Sequence, residues 1–211
     1  MSRGCGKSSG YRPALAQRQP RDAIAAGTGG VGVSMLRVIP FLAGAFAALF
    51  PVTAGAQEVF AGVLSHGVDT PLTKATGEGG TDLQLGVRGK PLLNAGVATL
   101  RPYAFVSANA RGDTSFAAAG VALTVGLPGW FVRPGIGLAV HDGPSYRVGA
   151  DGFRTDLGSR VVFEPELGVG VPILPRVTAE LQWTHLSHAQ LFSRQNPGLD
   201  MIGTRVSIRL P

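Results

Sequence analysis

Near its end the chain carries a histidine and a serine that are close enough in sequence to act as a catalytic pair. In the stretch WTHLSHAQLF, residues 183–192, His185 and Ser187 are two positions apart, and Asp200 follows downstream. A serine hydroxyl becomes a strong nucleophile when an imidazole takes its proton and a carboxylate fixes the imidazole tautomer. The three residues are therefore candidates for an acyl-transfer triad, with Ser187 as nucleophile, His185 as base and Asp200 as orienting acid.

Two other interpretations of this stretch stay open on these residue types alone. His-x-Ser is a common tripeptide, and by itself it is more typical of a polar strand end than of a catalytic pair. A zinc site built from His185 and His188 is less favoured, because residues three apart on a strand point to opposite faces and no third ligand is evident. The choice between these interpretations depends on the predicted strands that carry the residues and on the face to which each residue points.

The rest of the chain predicts an all-β structure with eight strands. Runs with a two-residue alternation are separated by clusters of Gly, Pro, Asn and Asp, and no stretch has a convincing helical period. The connections alternate between longer and shorter ones, which is typical of antiparallel barrels in the bacterial outer membrane. The predicted strands cover residues 58–66, 81–90, 98–108, 113–126, 131–141, 159–170, 176–187 and 200–210.

The alternation also predicts an apolar outer face and a polar interior. Charged residues make up 15% of the chain, against roughly 25% in soluble domains. This favours a transmembrane barrel, whose narrow interior is filled by side chains without a pore. A soluble lipocalin-like barrel, with an apolar interior, is the structural alternative. The charged residues predicted to share the interior on the last three strands are Glu164, Glu166, Glu180, Arg205 and Arg209.

Strand parity places the candidate triad on the lipid-facing surface. His185 and Ser187 share a face with Leu181 and Trp183, and Asp200 shares a face with the apolar residues of the next strand. Because these strands are neighbours, the three polar groups are expected to meet outside the barrel at its external end. Trp183 fits an aromatic girdle there. Ionisable groups facing lipid are costly, and they indicate a function.

The N-terminal part of the chain predicts export. From Met35 the sequence has a positive charge, an apolar run and a small-residue cleavage site, so residues 35–56 are expected to be a signal peptide. Residues 1–34 precede this signal and are expected to be a non-native upstream extension, leaving 57–211 as the barrel. Most of the formal net charge of +6 lies before residue 57, and the near-neutral barrel does not favour nucleic acid as a partner. Cys5 is the one cysteine, so the barrel has no disulfide.

The C-terminal segment HLSHAQLFSRQNPGLDMIGTRVSIRL resembles the PagL-type lipid A deacylases, which are eight-stranded outer-membrane acyloxyacyl hydrolases. The family motif is His-x-Ser-Asn-Ala-Gly-Leu, followed by Asn-x-Gly and an acidic residue. The resemblance implies that His185 is the general base, Ser187 the nucleophile and Asp200 the acid. It implies hydrolysis of an ester-linked 3-O hydroxyacyl chain of lipid A, with no metal or organic cofactor.

Two positions depart from the motif. His188 replaces the Asn and Gln190 replaces the Gly that the resemblance implies for the oxyanion hole. Losing one such donor costs about 100-fold to 1000-fold in rate. The alternatives are therefore a non-catalytic structural or lipopolysaccharide-binding barrel and, less favoured, a soluble periplasmic lipid-binding barrel. The sequence is also compatible with a homodimer. Four basic residues near the predicted external loops are candidates for contacts with lipid A phosphates, with ordinary solvated loop charge as an equally favoured interpretation: Arg147, Arg154, Arg160 and Arg194.

Overall fold

Nine β-strands form the structure of the described residues. The computed structural model describes residues 56–73, 75–143, 152, 156–191 and 196–211. The predicted upstream extension, and the predicted signal peptide up to residue 55, lie outside these residues. The strands are β1 (Glu58–His66), β2 (Thr81–Arg88), β3 (Leu93–Ala95), β4 (Ala98–Asn109), β5 (Phe116–Leu127), β6 (Trp130–His141), β7 (Val161–Leu174), β8 (Val177–Leu186) and β9 (Leu199–Arg209).

Eight of these strands close into an antiparallel barrel. Consecutive strands pair from β4 through β9, and β9 then pairs with β1, β1 with β2, and β2 with β4. The eight predicted strands are thus confirmed, although β5 starts three residues later and β7 ends four residues later than predicted. The ninth strand, β3, was not predicted. It pairs only with the start of β4 and makes a short hairpin at one end of the barrel.

The connections at the two ends of the barrel differ in length, as the sequence predicts. At one end they span residues 67–80, 110–115, 142–160 and 187–198. At the other end the tight turns are two residues long, at 128–129 and 175–176. In outer-membrane barrels the longer loops are external. The C-terminal end of β8, which carries His185, is therefore at the expected external end.

The outer surface of the barrel is apolar. Along β8, Leu181 is 60% exposed, whereas its neighbours Glu180 and Gln182 are buried. The same alternation holds on β6 and β9, where apolar side chains such as Leu138 and Val206 are exposed. This arrangement is the reverse of a soluble barrel and fits a lipid environment. No helix in the described part of the chain is long and apolar enough to cross a membrane.

Ion pairs and aromatic rings fill the barrel interior. Glu180 accepts hydrogen bonds from Arg88 at 2.9 Å and from Arg133, and Arg205 binds Glu166 at 3.1 Å. Arg209 lies on the predicted side of β9, since it is paired in the ladder with the buried Glu58, but as the last residue of the strand it is at the barrel end and is exposed. The ion pairs contact a cluster of buried aromatic side chains, since the guanidinium groups of Arg88 and Arg205 lie over the Phe60 ring. The rings of this cluster are Phe60, Tyr103, Phe105 and Phe116.

Candidate active site

The register of β8 and β9 brings two of the predicted site residues together. His185 and Asp200 are directly opposite each other in the ladder, on the outward-facing side of both strands. Nδ1 of His185 lies 2.7 Å from Oδ1 of Asp200. A carboxylate in this position accepts a hydrogen bond from Nδ1–H, which keeps the proton on Nδ1 and leaves Nε2 as the basic nitrogen. The pair therefore has the geometry of a general base with its orienting acid.

Asp200 has two further hydrogen-bond donors, from Trp183 and Thr70. Nε1 of Trp183 donates to Oδ1 of Asp200 at 2.9 Å, and the hydroxyl of Thr70 donates to Oδ2. The Trp183 ring also stacks on the His185 ring, with centroids 5.9 Å apart and planes at 24°. Sequence reasoning placed Trp183 only in an aromatic girdle and did not include Thr70. Nothing in the sequence marks Thr70, because it is 130 positions away from Asp200.

The loop between β1 and β2 covers the acid. The backbone N–H of Val68 donates to the carbonyl oxygen of Asp200 at 3.0 Å. Gly198 lies close against the carbonyl oxygen of Leu72, on the same loop, and against the His185 ring, with no room for a β-carbon. As a result Asp200 is fully buried, although its strand position faces outward.

Ser187 lies just beyond the end of β8. It is half-buried and continues the ladder through two backbone hydrogen bonds with Phe163, of 2.7 and 3.1 Å. This keeps Ser187 on the same face as His185, two positions along an extended strand. Among the described residues, no hydrogen bond joins the Ser187 hydroxyl to His185. The structure thus joins the base to the acid and leaves the nucleophile next to them, without a hydrogen bond to the base.

A tight turn follows Ser187 and carries both oxyanion candidates. The N–H of Leu191 donates to the carbonyl of His188 at 2.9 Å, and Ala189 and Gln190 have φ angles of 52° and 60°. Two consecutive left-handed residues are typical of a type I′ turn, which normally uses Gly or Asn. His188 is fully buried, and its N–H donates to Oδ1 of Asn196 at 3.2 Å. Gln190 is exposed on the turn.

The basic residues predicted to meet phosphates are mostly outside the described residues. Arg147, Arg154 and Arg194 fall there. Arg160 is exposed, and its guanidinium donates to the carbonyl oxygen of Gly143 at 3.1 Å, so it holds two loop segments together. Within the described part of the chain, no group of three or more His, Cys, Asp or Glu side chains could hold a metal ion.

Comparisons with known proteins bear on the family and the fold. A family model described as lipid A 3-O-deacylase (PagL) matches residues 73–209. The chain is similar to the crystal structure of the outer membrane enzyme PagL, with 20% identity and a TM-score of 0.52 over 72% of this chain and 99% of that one. It is also similar to Neisserial surface protein A, with 11% identity and a TM-score of 0.46, covering 72% and 96%. No curated protein sequence matches the chain.

Proposed function

Because the chain belongs to the lipid A 3-O-deacylase (PagL) family, we propose that it hydrolyses an ester-linked acyl chain of lipid A in the bacterial outer membrane. The finer assignment is to the 3-O hydroxyacyl chain, with Ser187, His185 and Asp200 as a catalytic triad. The observation that carries this proposal is the His185–Asp200 pair on the outer face of the barrel, beside Ser187. These are the residue types of a serine hydrolase, on a surface that faces the lipid in which an acylated substrate resides.

The first chemical step is attack on the ester carbonyl carbon. The Ser187 oxygen forms a bond to that carbon while His185 Nε2 takes the hydroxyl proton. Asp200 accepts the hydrogen bond from Nδ1, at 2.7 Å, and so stabilises the imidazolium that forms. Since Nδ1 is engaged, His185 presents Nε2 to the serine without a change of tautomer. The Ser187 hydroxyl has to approach Nε2 for this transfer, since no hydrogen bond joins the two groups among the described residues.

The negative charge on the former carbonyl oxygen needs a hydrogen-bond donor. His188 is fully buried and its N–H already binds Asn196, which makes it the weaker of the two oxyanion candidates. Gln190 is exposed in the turn three positions after the nucleophile. We assign this role to the donors of that turn, with the Gln190 carboxamide as the first candidate.

Three further proton transfers complete the reaction. The tetrahedral intermediate collapses, the sugar oxygen leaves with the proton from His185, and the acyl chain stays on Ser187 as an ester. His185 then takes a proton from water, whose oxygen attacks the acyl carbon, and Ser187 leaves with that proton. The products are a free hydroxy fatty acid and lipid A with one hydroxyl group in place of an ester. Every proton in this cycle passes through His185.

The position of the site suits a substrate held in the outer leaflet. Leu191, next to the turn, is 66% exposed, and Leu181 is 60% exposed on the same strand face as His185. These side chains offer the acyl chains of a bound glycolipid an apolar surface beside the site. Because the site is at the expected external end of the barrel, water would approach it from outside the membrane, as the second half of the reaction requires.

The test is deacylation by the purified barrel. The protein, refolded in detergent, is incubated with lipid A, and the products are measured by mass spectrometry. We expect lipid A to lose one hydroxyacyl chain and the free hydroxy fatty acid to appear. Ser187→Ala should abolish both signals, because the acyl-enzyme cannot form. Ser65→Ala is the matched control, because Ser65 is an exposed serine at the same end of the barrel on β1.

Two results would contradict the proposal. If Ser187→Ala released the acyl chain at the wild-type rate, the triad would be wrong. If wild type released none across a range of detergents and pH while folded, a non-catalytic barrel that binds lipopolysaccharide would replace the enzyme. Binding of lipid A without turnover would support that second function.

A further inference from the structure

The carboxylate of Asp200 is fully buried and uses both of its oxygens. Oδ1 accepts from His185 and from Trp183, at 2.7 and 2.9 Å, and Oδ2 accepts from the hydroxyl of Thr70. A carboxylate shielded from water keeps its charge only if hydrogen-bond donors replace the lost hydration. Thr70 supplies the one donor that Oδ2 has among the described residues.

The orientation of the Thr70 hydroxyl is fixed by its own loop. The N–H of Leu72 donates to the Thr70 oxygen at 3.1 Å, so the hydroxyl proton is directed toward Asp200. The N–H of Thr70 in turn donates to Oγ1 of Thr73 at 3.1 Å, and the N–H of Val68 binds the Asp200 carbonyl. The loop thus meets Asp200 through both its backbone and a side chain.

The far end of this loop is anchored inside the barrel mouth. Glu78 accepts hydrogen bonds from Nε2 of His66 at 2.9 Å and from the hydroxyl of Thr114 at 2.8 Å. All three residues are buried. The β1–β2 loop is therefore held between the interior of the barrel and the outward-facing acid, and Thr70 lies on the segment that reaches over the rim.

We propose that Thr70 is a positioning residue of the active site, acting through Asp200, and that the β1–β2 loop is thereby part of the site. The inference rests on the proposed function. By holding Oδ2, Thr70 keeps Oδ1 directed at Nδ1 of His185, which aims Nε2 at Ser187. Trp183 performs the same task at Oδ1 and also limits rotation of the His185 ring by stacking on it.

The kinetic test removes the Thr70 hydroxyl while keeping the shape of the side chain. Thr70→Val is expected to lower kcat about 10-fold to 100-fold, the range for losing a hydrogen bond to a charged group. KM should stay unchanged, because Thr70 acts through Asp200. Thr70→Ser keeps the hydroxyl and should restore most of kcat. The matched control is Thr178→Val, since the hydroxyl of Thr178 has no partner among the described residues.

A second readout does not depend on turnover. The chain has four histidines, so histidine-labelled protein in micelles gives a small set of imidazole NMR signals. Thr70→Val should change the chemical shift of the His185 Nδ1 proton, and Thr178→Val should not. A loop that only shields the site from solvent would leave this proton resonance in place.

Tryptophan variants test the other oxygen of Asp200. Trp183→Phe retains a stacking ring and removes the N–H donor, so kcat should fall with KM unchanged. Trp130→Phe is the matched control, because Trp130 is the other tryptophan of the chain and lies at the opposite end of the barrel.

The outcomes separate this inference from the proposed function. A wild-type kcat in Thr70→Val, or an unchanged His185 resonance, would overturn the positioning role even if lipid A is cleaved. If the unsubstituted barrel cleaves no lipid A but Thr70→Val still changes the His185 resonance, the positioning role of Thr70 is supported and the deacylase assignment fails. A fall in kcat that Thr70→Ser does not reverse would also overturn it, since the hydroxyl would then not be the cause.

Discussion

Two regions of the molecule bury carboxylates, and they use them in opposite ways. Inside the barrel, Glu180 lies among Arg88, Arg133 and Arg205, each with a nitrogen within 3.6 Å of a Glu180 oxygen. At the external rim of β8 and β9, Asp200 is equally buried but lies beside one ring, that of His185, and two neutral donors. The interior carboxylate is neutralised by permanent cations, whereas the rim carboxylate faces a group that gains charge only when it takes a proton.

This contrast separates the buried charges that stabilise the barrel from those that can take part in a reaction. A carboxylate bound by three arginines cannot respond to a reaction, because its counter-charges never change. A carboxylate bound to a neutral imidazole stabilises that ring when it becomes charged, which is the role of the acid in a serine hydrolase. Equivalent substitutions at Asp200 and Glu180 should therefore affect different properties of the protein.

Asp200→Asn should have the largest effect on catalysis. The amide no longer fixes the Nδ1–H tautomer or stabilises imidazolium, so kcat should fall by about 10⁴-fold. The free energy of unfolding should fall less than in a variant that leaves buried arginines without a counter-charge, because the amide oxygen still accepts part of the hydrogen bonds that the two oxygens of Asp200 accept. Both quantities can be measured on the same sample, by release of hydroxy fatty acid and by guanidinium unfolding. A variant with kcat within tenfold of wild type would remove Asp200 from the triad.

Glu180→Gln makes the same carboxylate-to-amide change in the interior. It leaves three arginines with one fewer counter-charge in a buried network, and it should lower the free energy of unfolding by about 3–5 kcal/mol. The kcat of the folded fraction should equal that of wild type. A lower kcat with an unchanged free energy of unfolding would contradict this prediction, because Glu180 would then affect the reaction and not the stability of the barrel.

The sequence predicts the barrel well because both strand pairing and the inward or outward direction follow a two-residue period. That period places His185 on the outer face, and the adjacency of the last two strands puts Asp200 within its reach. This reasoning does not find β3, because a strand of three residues, Leu93–Ala95, is too short to show alternation. Parity gives the side of the sheet but not the place where the barrel ends, so it did not predict that Arg209 is exposed.

The parts of the site that the sequence does not predict depend on contacts between loops. Thr70 reaches Asp200 through the particular path of the β1–β2 loop, and no periodic pattern encodes such a path. The turn after Ser187 is a second case. A type I′ turn is normally recognised by Asn-Gly or a similar pair, and here its central residues are Ala189 and Gln190. The resemblance marked Gln190 as a departure, and the structure gives a conformational reason for the Gly that the family has there.

Gln190→Gly should have the smallest effect of these substitutions, a small rise in the free energy of unfolding. The same variant also tests which group donates to the oxyanion. A left-handed residue with a β-carbon costs about 1–2 kcal/mol, partly offset by the greater freedom of Gly in the unfolded chain. The free energy of unfolding should therefore rise by roughly 0.5–1 kcal/mol, whereas Gln190→Ala, which keeps the β-carbon at φ 60°, should give no gain.

The kcat of the same two variants identifies the oxyanion donor. Both lack the carboxamide, so a fall in kcat of about 100-fold in each would assign the donor to the Gln190 side chain. If kcat is retained in both, the carboxamide is not the donor, and a backbone N–H of the turn takes that role. In that case a backbone N–H alone would stabilise the oxyanion at the rim, in further contrast to the arginine side chains of the interior. Gln190 in place of Gly would then lower the free energy of unfolding without lowering kcat.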